Sequence, residues 1–176
     1  MIMKSCIHIY CGDGKGKTTA AVGLSVRAWG YKKKVLITRF LKTDHSGEVA
    51  ALHGLPGITV TPCERSFGFF TKMTQQQKAE AKVYYSELLQ STLQRAVKEA
   101  YDLLVLDEIM AVCNYGLVAE RDVLDFLSGR PEGLEVVLTG RNPSDKLMEM
   151  ADYVSEIKKI KHPYDQGISA RQGIEY

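Results

Sequence analysis

The sequence predicts an α/β fold with a mostly parallel sheet flanked by helices. Short β-rich segments alternate along the chain with segments of helical character, which is the order found in parallel α/β domains. Several of the β-rich segments are continuous apolar runs, as expected of strands that are buried on both faces. With 176 residues, of which 45% are hydrophobic and 25% charged, the chain has the size and composition of one domain spanning residues 1–176.

Six segments are predicted to be strands because they are short, rich in β-branched or aromatic residues and bounded by turn residues. The last of them is more polar than the others and is expected near an edge of the sheet. The six segments are residues 6–10, 34–40, 57–61, 103–106, 134–139 and 153–160.

Helices are predicted from composition and from capping residues. Thr74, followed three residues later by Gln77, forms a capping-box signature, which predicts a long helix ending near residue 101. Gly30 ends an alanine-rich helical segment, and Ser144 is a candidate N-cap. The shorter predicted helices are residues 18–29, 120–127 and 144–151, with a helical turn or two at residues 46–53.

Composition excludes several classes of protein. No run of about 18 apolar residues is present, so no transmembrane helix is expected, and the first residues lack the apolar segment of a signal peptide. A cytoplasmic location is therefore expected. A net charge of +2 is too small to indicate a nucleic-acid partner. The four cysteines form no C-x-x-C pair, and the histidines show no metal-ligand spacing, so no zinc site is predicted.

The strongest functional signal is a glycine-rich segment between the first predicted strand and the first predicted helix. In this context, backbone amides and the helix N-terminus bind phosphate groups, a lysine supplies positive charge and a threonine hydroxyl can ligate magnesium. Cys11 stands where the general phosphate-loop pattern has its first glycine. The segment, called the phosphate loop below, is Gly12-Asp13-Gly14-Lys15-Gly16-Lys17-Thr18-Thr19.

A second acidic motif supports the phosphate loop. The apolar strand at residues 103–106 runs directly into Asp107 and Glu108, as a Walker B strand does. Together with Thr18, these two carboxylates are the predicted magnesium site. The pair of motifs predicts a phosphate-loop NTPase fold of the RecA-like type that binds a nucleoside triphosphate with magnesium.

These two motifs leave the reaction open, because kinases, motors and synthetases all use them. One alternative is a small-molecule kinase, which would release ADP and a phosphorylated acceptor. Another is a RecA-like, ATP-dependent nucleic-acid-binding module. The near-neutral charge and the lack of interleaved basic and aromatic residues count against the second alternative.

The remaining motifs resemble those of the ATP:corrinoid adenosyltransferase family. The phosphate loop, the segment Leu106-Asp107-Glu108-Ile109 and the segment Leu138-Thr139-Gly140-Arg141 are similar to family motifs. The resemblance is stronger at residues 161–176, which fit every fixed position of the family ending K-H-x-x-D-x-G-x-x-A-x-x-G-I-[DE]-Y. Phosphate-loop kinases do not share this ending.

The resemblance implies transfer of the 5′-deoxyadenosyl group of ATP to the Co(I) centre of a reduced corrinoid, with release of triphosphate. The corrinoid is cobalamin or cobyrinic acid a,c-diamide, and ATP is bound in the reverse of its direction in kinases. Lys17 then contacts the triphosphate, while Thr18 and Glu108, with Asp107 adjacent, hold magnesium. The resemblance also implies a homodimer, an electron-donating reductase or flavoprotein as partner, and no nucleic-acid or membrane partner.

Candidate corrinoid-facing residues lie in the loop that follows the third predicted strand. Some family members carry a Phe-x-Trp segment that covers the lower face of the corrin, and this chain has Phe67-Gly68-Phe69 in the corresponding loop. Phe67 and Phe69 are therefore the candidate corrinoid contacts, and the alternative is that they pack in the core. Arg141 and His162 are candidates for lining the nucleotide or corrinoid site.

Overall fold

Six parallel strands form one sheet in the computed structural model, which describes residues 5–43, 46–63 and 65–175. Their order across the sheet is β3-β2-β4-β5-β1-β6, and each neighbouring pair is parallel. The strands are β1 (Ile7–Cys11), β2 (Val35–Arg39), β3 (Ile58–Val60), β4 (Leu103–Asp107), β5 (Glu135–Thr139) and β6 (Tyr153–Glu156). The predicted α/β fold with a parallel sheet is confirmed.

Helices connect the strands and cover the sheet. The α-helices are α1 (Lys17–Gly30), α2 (Gly47–His53), α3 (Gln75–Lys98), α4 (Ile109–Asn114), α5 (Glu120–Gly129) and α6 (Asp145–Met150). Two short 3₁₀ turns lie at Phe70–Lys72 and Pro163–Gln166. The predicted cap residues are confirmed, because the Thr74 side chain accepts from the Gln77 amide and Ser144 accepts from the Leu147 amide.

Two elements differ from the sequence-based expectation. Helix α4 was not predicted, because its six residues are too few to show a helical period and follow closely on an apolar strand. The last strand ends at Glu156 rather than near residue 160, because the chain then turns across the phosphate loop. Its position at an edge of the sheet is as predicted, and the structure pairs it with β1. Tyr176, the last residue of the family-like ending, lies outside the described residues.

The sheet separates two apolar cores because side chains alternate between its faces. In β4, Leu104 and Leu106 contribute to a core with α3 and α5, whereas Leu103 and Val105 contribute to a core with α1 and α2. Every residue of β2 and β4 is buried. This explains the continuous apolar runs in the sequence, since both faces of a parallel sheet are covered by helices.

Parallel strands bring their carboxyl ends to one edge of the sheet, and this edge carries the predicted motifs. The phosphate loop follows β1, and Asp107 ends β4. Strands β2 and β4 are tied together where they end, because the Phe40 amide donates to the Asp107 carbonyl at 2.9 Å. Ligands of open parallel sheets bind beyond such carboxyl ends.

The capping box of α3 provides a test of the fold. In Thr74→Ala the Gln77 amide loses its side-chain acceptor, now at 3.2 Å, and the helix start is weakened. Loss of an N-cap costs about 1 kcal/mol, so we expect the melting temperature to fall by about 2–4 °C. Calorimetry should show no comparable change for Thr71→Ala, an exposed threonine three residues earlier. Equal melting temperatures for wild type and Thr74→Ala would contradict the stabilising role of the cap.

Candidate active site

The phosphate loop leaves β1 and leads directly into the N-terminus of α1. Gly16 is the N-cap residue of this helix, with φ of 125°, a conformation that favours glycine. The free amides of the first helical turn and the helix dipole make this position favourable for anions. The loop therefore has the geometry of a phosphate-binding site.

Lys17 is held inside the loop. Its ammonium donates to the Gly14 carbonyl at 2.9 Å, and the residue is only 7% exposed. Burial lowers the pKa of Lys17, and the nearby Glu108 carboxylate opposes this effect. The side chain is thus positioned at the phosphate loop before any phosphate arrives.

Asp107 lies at the centre of the site and is 1% exposed. The Thr18 hydroxyl donates to its Oδ1 at 2.9 Å, and the Thr139 hydroxyl donates to the same atom at 2.6 Å. The Lys42 ammonium lies 2.6 Å from Oδ2. Residues from α1, β5 and the segment after β2 thus converge on one carboxylate at the end of β4.

Glu108 follows in a strained backbone conformation. Its φ of 62° is left-handed, which is unfavourable for a residue with a side chain. Its amide donates to the Thr139 hydroxyl at 2.9 Å, which holds the turn between β4 and α4. Burial raises the pKa of Glu108, and the neighbouring Asp107 carboxylate raises it further. The Glu108 side chain lines the same cavity as Lys17 and Thr18.

The oxygen atoms of this site fit a magnesium ion. Hydroxyl and carboxylate oxygens are the ligands that magnesium prefers, and an ammonium group already bridges two of them, since Lys42 contacts both Thr18 and Asp107. Among the described residues, no cluster of three or more His, Cys, Asp or Glu side chains could form a metal cage. Magnesium here would therefore need further ligands from phosphate and water, as is usual when it binds with a nucleotide.

The chain beyond β6, residues 157–175, forms a C-terminal tail that packs on the phosphate loop. The Gly14 amide donates to the Ile157 carbonyl at 2.8 Å, and the Ile157 amide donates to the Cys11 carbonyl at 2.8 Å. The Asp13 carboxylate accepts from the Lys159 amide at 3.0 Å, and this hydrogen bond lowers the pKa of Asp13. The tail is therefore part of the site, as one of its walls.

Tail and phosphate loop together enclose a cavity of about 520 Å³, a size typical of small-molecule sites. The loop side of its lining includes Lys15, Thr19 and the other residues from 13 to 18. The opposite side includes His162, Gly173 and Glu175 of the tail. Arg141, the other candidate, also lines this cavity.

Two residues of the site had no predicted role. Lys42 lies beyond the end of β2, and Thr139 ends β5, both on the edge where Asp107 lies. Their hydrogen bonds to Asp107 depend on the order β2-β4-β5, which places both strands beside β4. The signal that could have found them is a polar residue at or just past the carboxyl end of each predicted strand.

The two candidate phenylalanines lie in different environments. Phe67 is partly buried and packs with Tyr84 and Tyr85 at centroid distances of 5.7 and 5.8 Å. Phe69 is 77% exposed. Phe70 stacks on Tyr115 with centroids 4.3 Å apart and planes within 2°. The loop therefore presents one exposed ring, that of Phe69, and a second ring, that of Phe70, stacked on Tyr115 after α4.

Fold and site together define a protein with a phosphate-loop nucleotide-binding fold whose C-terminal tail and phosphate loop line one cavity. The model of the family "ATP:corrinoid adenosyltransferase BtuR/CobO/CobP" matches residues 3–176. The chain belongs to this family, whose substrates are ATP and a corrinoid. The family resemblance that the sequence motifs indicated is confirmed.

Curated relatives of the chain agree with the family match. The corrinoid adenosyltransferase of Escherichia coli (strain K12) is 32% identical over 174 residues, covering 98% of this chain and 86% of the relative. The corrinoid adenosyltransferase CobA of Salmonella typhimurium (strain LT2) is 32% identical over 176 residues, with the same coverages. That of Pseudomonas aeruginosa is 31% identical over 175 residues, covering 98% and 84%. These matches support an adenosyltransferase activity for this chain.

Similar solved structures support the fold alone. "The cytoplasmic domain of EssC" has a TM-score of 0.53 at 15% identity, covering 98% of this chain and 39% of that structure. "EssC (ATPases 2 and 3)" from Geobacillus thermodenitrificans has a TM-score of 0.50 at 14% identity, covering 99% and 37%. The chain thus spans less than half the length of each of these structures.

No helix in the described part of the chain is long and apolar enough to cross a bilayer.

The packing of the tail on the phosphate loop can be tested at Gly14. A Cβ atom there would lie 2.7 Å from the Ile157 carbonyl oxygen and 2.8 Å from the Lys158 carbonyl, so Gly14→Ala must displace the tail. Overpacking of this kind costs about 1–3 kcal/mol, and we expect ATP affinity, measured by calorimetry, to fall by about tenfold or more. Hydrogen exchange at the Ile157 amide should become faster.

Gly23→Ala is the matched control, because nothing lies within 4 Å of a Cβ atom at this position in α1. Alanine is favoured over glycine inside a helix by about 0.5–1 kcal/mol. The control should therefore be slightly more stable than wild type and bind ATP normally. Unchanged ATP affinity and unchanged Ile157 exchange in Gly14→Ala would contradict the role of the tail as a wall.

Proposed function

We propose that residues 12–19 hold the triphosphate of ATP while its 5′-deoxyadenosyl group is transferred to the Co(I) centre of a reduced corrinoid. The observation that carries this proposal is the cavity itself. Its walls are the phosphate loop and the tail, and the tail contains the sequence ending that the family shares. A general phosphate-loop motif explains the first wall only, whereas the adenosyltransferase family explains both.

The chemistry needs no nucleophile from the protein. The cobalt electron pair attacks C5′ of ATP, a cobalt–carbon bond forms, and the bond from C5′ to the α-phosphate oxygen breaks. The electrons of that bond leave with inorganic triphosphate. The protein's contribution is to position ATP and to stabilise the charge that accumulates on the leaving group.

Lys17 is the residue proposed to carry most of this stabilisation. Its buried ammonium points into the phosphate loop, where partial exclusion of water strengthens its attraction for an anion. The amides at the start of α1 add hydrogen bonds that need no reorganisation. Bound magnesium, held by Thr18 and Glu108 with Asp107 adjacent, would neutralise part of the triphosphate charge.

The assembly and the context of the enzyme remain part of the proposal. We infer one domain over residues 1–176, a homodimer, and a reductase or flavoprotein that supplies electrons to the cobalt, on the basis of family resemblance. Cytoplasmic location stays a prediction. The corrinoid is cobalamin or cobyrinic acid a,c-diamide, two substrates that present the same cobalt to the same nucleotide.

The leaving group tests the reaction. If carbon is attacked, inorganic triphosphate must appear in step with the cobalt–carbon bond, because one bond breaks as the other forms. Phosphorus NMR of the reaction of ATP and magnesium with chemically reduced cobalamin should show triphosphate, with adenosylcobalamin appearing in the absorbance spectrum in a 1:1 ratio. Reactions without corrinoid serve as the control. Corrinoid-dependent ADP would instead indicate a phosphoryl transfer enzyme.

The exposed ring of Phe69 tests the corrinoid side. An apolar wall below the corrin offers the cobalt no lone pair, so it favours loss of the lower ligand and makes Co(II) easier to reduce. We expect Phe69→Ala to lower activity sharply with Co(II) and a mild reductant, and much less with Co(I) prepared beforehand. The fold should be unaffected, since the side chain is 77% exposed.

Val83→Ala removes an exposed apolar side chain from α3 and is the control for general surface effects. Phe67→Ala is a poorer probe because this ring packs on Tyr84 and Tyr85, and its removal would also destabilise the core. An equal loss in both assays for Phe69→Ala would indicate a role in corrinoid affinity. Full activity in both would refute its assignment as a corrinoid contact and direct attention to the Phe70–Tyr115 pair.

A further inference from the structure

Lys42 makes an unusual set of contacts for a lysine outside the phosphate loop. Its ammonium lies 2.6 Å from the Thr18 hydroxyl oxygen and 2.6 Å from Asp107 Oδ2. Asp107 is 1% exposed at its side chain and that of Lys42 is 28% exposed, so the pair is mostly withdrawn from water. The two oxygens that Lys42 bridges belong to the proposed magnesium site.

The backbone before Lys42 is held in a conformation that directs the chain toward this position. Leu41 has φ of 58°, a left-handed value that is unfavourable for a residue with a side chain. The preceding residue, Phe40, is fully buried and its amide is bound to the Asp107 carbonyl. Such strain persists only where surrounding contacts impose it, and it concentrates at functional sites.

We propose that the Lys42 ammonium and the divalent cation of the nucleotide are alternative occupants of one cation position between Thr18 and Asp107. Lys42 holds the position in the nucleotide-free protein and neutralises the buried Asp107 carboxylate. The divalent cation displaces it when it arrives, and the ammonium then lies beside the triphosphate at the cavity wall. This inference rests on the proposed nucleotide and metal roles of the site.

The exchange follows from the charges in the site. Asp107 without any cation would be a buried, uncompensated charge, which is strongly unfavourable. An ammonium and a divalent cation in contact with the same two oxygens repel one another, so occupancy by one disfavours occupancy by the other. Lys42 also lines the cavity that holds the phosphate loop, so the displaced side chain has an anionic partner within reach once ATP is bound.

The first test is metal binding without nucleotide, measured as free Mn²⁺ by electron paramagnetic resonance. Lys42→Met keeps an unbranched apolar side chain as far as Cε but removes the ammonium and its charge. Because Mn²⁺ no longer has to displace an ammonium, we expect it to bind at least about tenfold more tightly than to wild type. A lysine that merely stabilised the fold would produce no such gain, and unchanged or weaker Mn²⁺ binding would overturn the proposal.

The second test is the metal dependence of ATP affinity. With EDTA present, ATP should bind Lys42→Met at least about tenfold more weakly than wild type, because neither cation is available. With Mg²⁺ present the difference should be smaller, since the metal replaces the missing charge. An equal loss of ATP affinity with and without Mg²⁺, or no loss of ATP affinity in EDTA, would overturn the proposal.

Thermal stability gives a third readout, independent of nucleotide. In metal-free buffer the melting temperature of Lys42→Met should fall by about 5 °C or more, because Asp107 is left buried without a cation. Mn²⁺ should restore most of this loss and should affect wild type less. A loss that Mn²⁺ does not restore would contradict a shared cation position.

Lys33→Met is the matched control. Lys33 also pairs with a carboxylate, but its ammonium lies 3.7 Å from Asp102, and both side chains are more than 40% exposed. Exposed ion pairs contribute little to stability, so Lys33→Met should behave as wild type in all three measurements. Because none of them requires a corrinoid, they separate this inference from the proposed reaction. A protein that exchanges Lys42 for Mn²⁺ yet makes no adenosylcobalamin would refute the reaction alone.

Discussion

The architecture of the site depends on keeping one carboxylate, that of Asp107, buried at the end of a central strand. A charge in this position is tolerated only if hydrogen bonds and a cation compensate for the lost hydration. Thr18, Thr139 and Lys42 provide that compensation, and they come from three different parts of the chain. The contacts that compensate the Asp107 charge therefore hold α1, the end of β5 and the segment after β2 close together.

The same requirement explains why the site needs the sheet order seen here. Strand β4 lies between β2 and β5, so the residues at and just beyond the ends of both neighbours can reach its terminal carboxylate. The phosphate loop after β1 lies one strand further away, and α1 carries Thr18 back across to Asp107. The oxygens of the proposed magnesium site and the amides of the phosphate loop are thereby brought to one edge of the sheet.

Much of this arrangement could be predicted from the sequence, because its signals are local. The strand, glycine-rich turn and helix around Lys17 predict a phosphate loop. The apolar run that ends in two acidic residues predicts a Walker B strand. The capping box at Thr74 is equally local, and the structure contains both of its hydrogen bonds. Each of these features depends on residues only a few positions apart.

The parts that escaped prediction depend on contacts between distant residues. Lys42 and Asp107 are 65 positions apart, and no spacing rule connects them until the strand order is known. The left-handed turn at Glu108 also involves a distant residue, because its amide donates to the Thr139 hydroxyl, 31 positions away. Helix α4 escaped prediction for a different reason, since its six residues are too few to show a helical period. Side-chain burial at Phe67 likewise follows from tertiary packing rather than from the local sequence.

The backbone contact between the tail and the phosphate loop leaves no space for a side chain at two glycines of the loop. A Cβ atom on Gly12 would lie 2.4 Å from the Ile157 carbonyl oxygen, and one on Gly14 would lie 2.7 Å from the same atom. The loop must therefore leave its amides available for the proposed triphosphate on one side and pack against the segment just after β6 on the other. A substitution of either glycine by a residue with a side chain would therefore also require a change in the path of the tail. The two segments, more than 140 residues apart, are expected to evolve as a single unit.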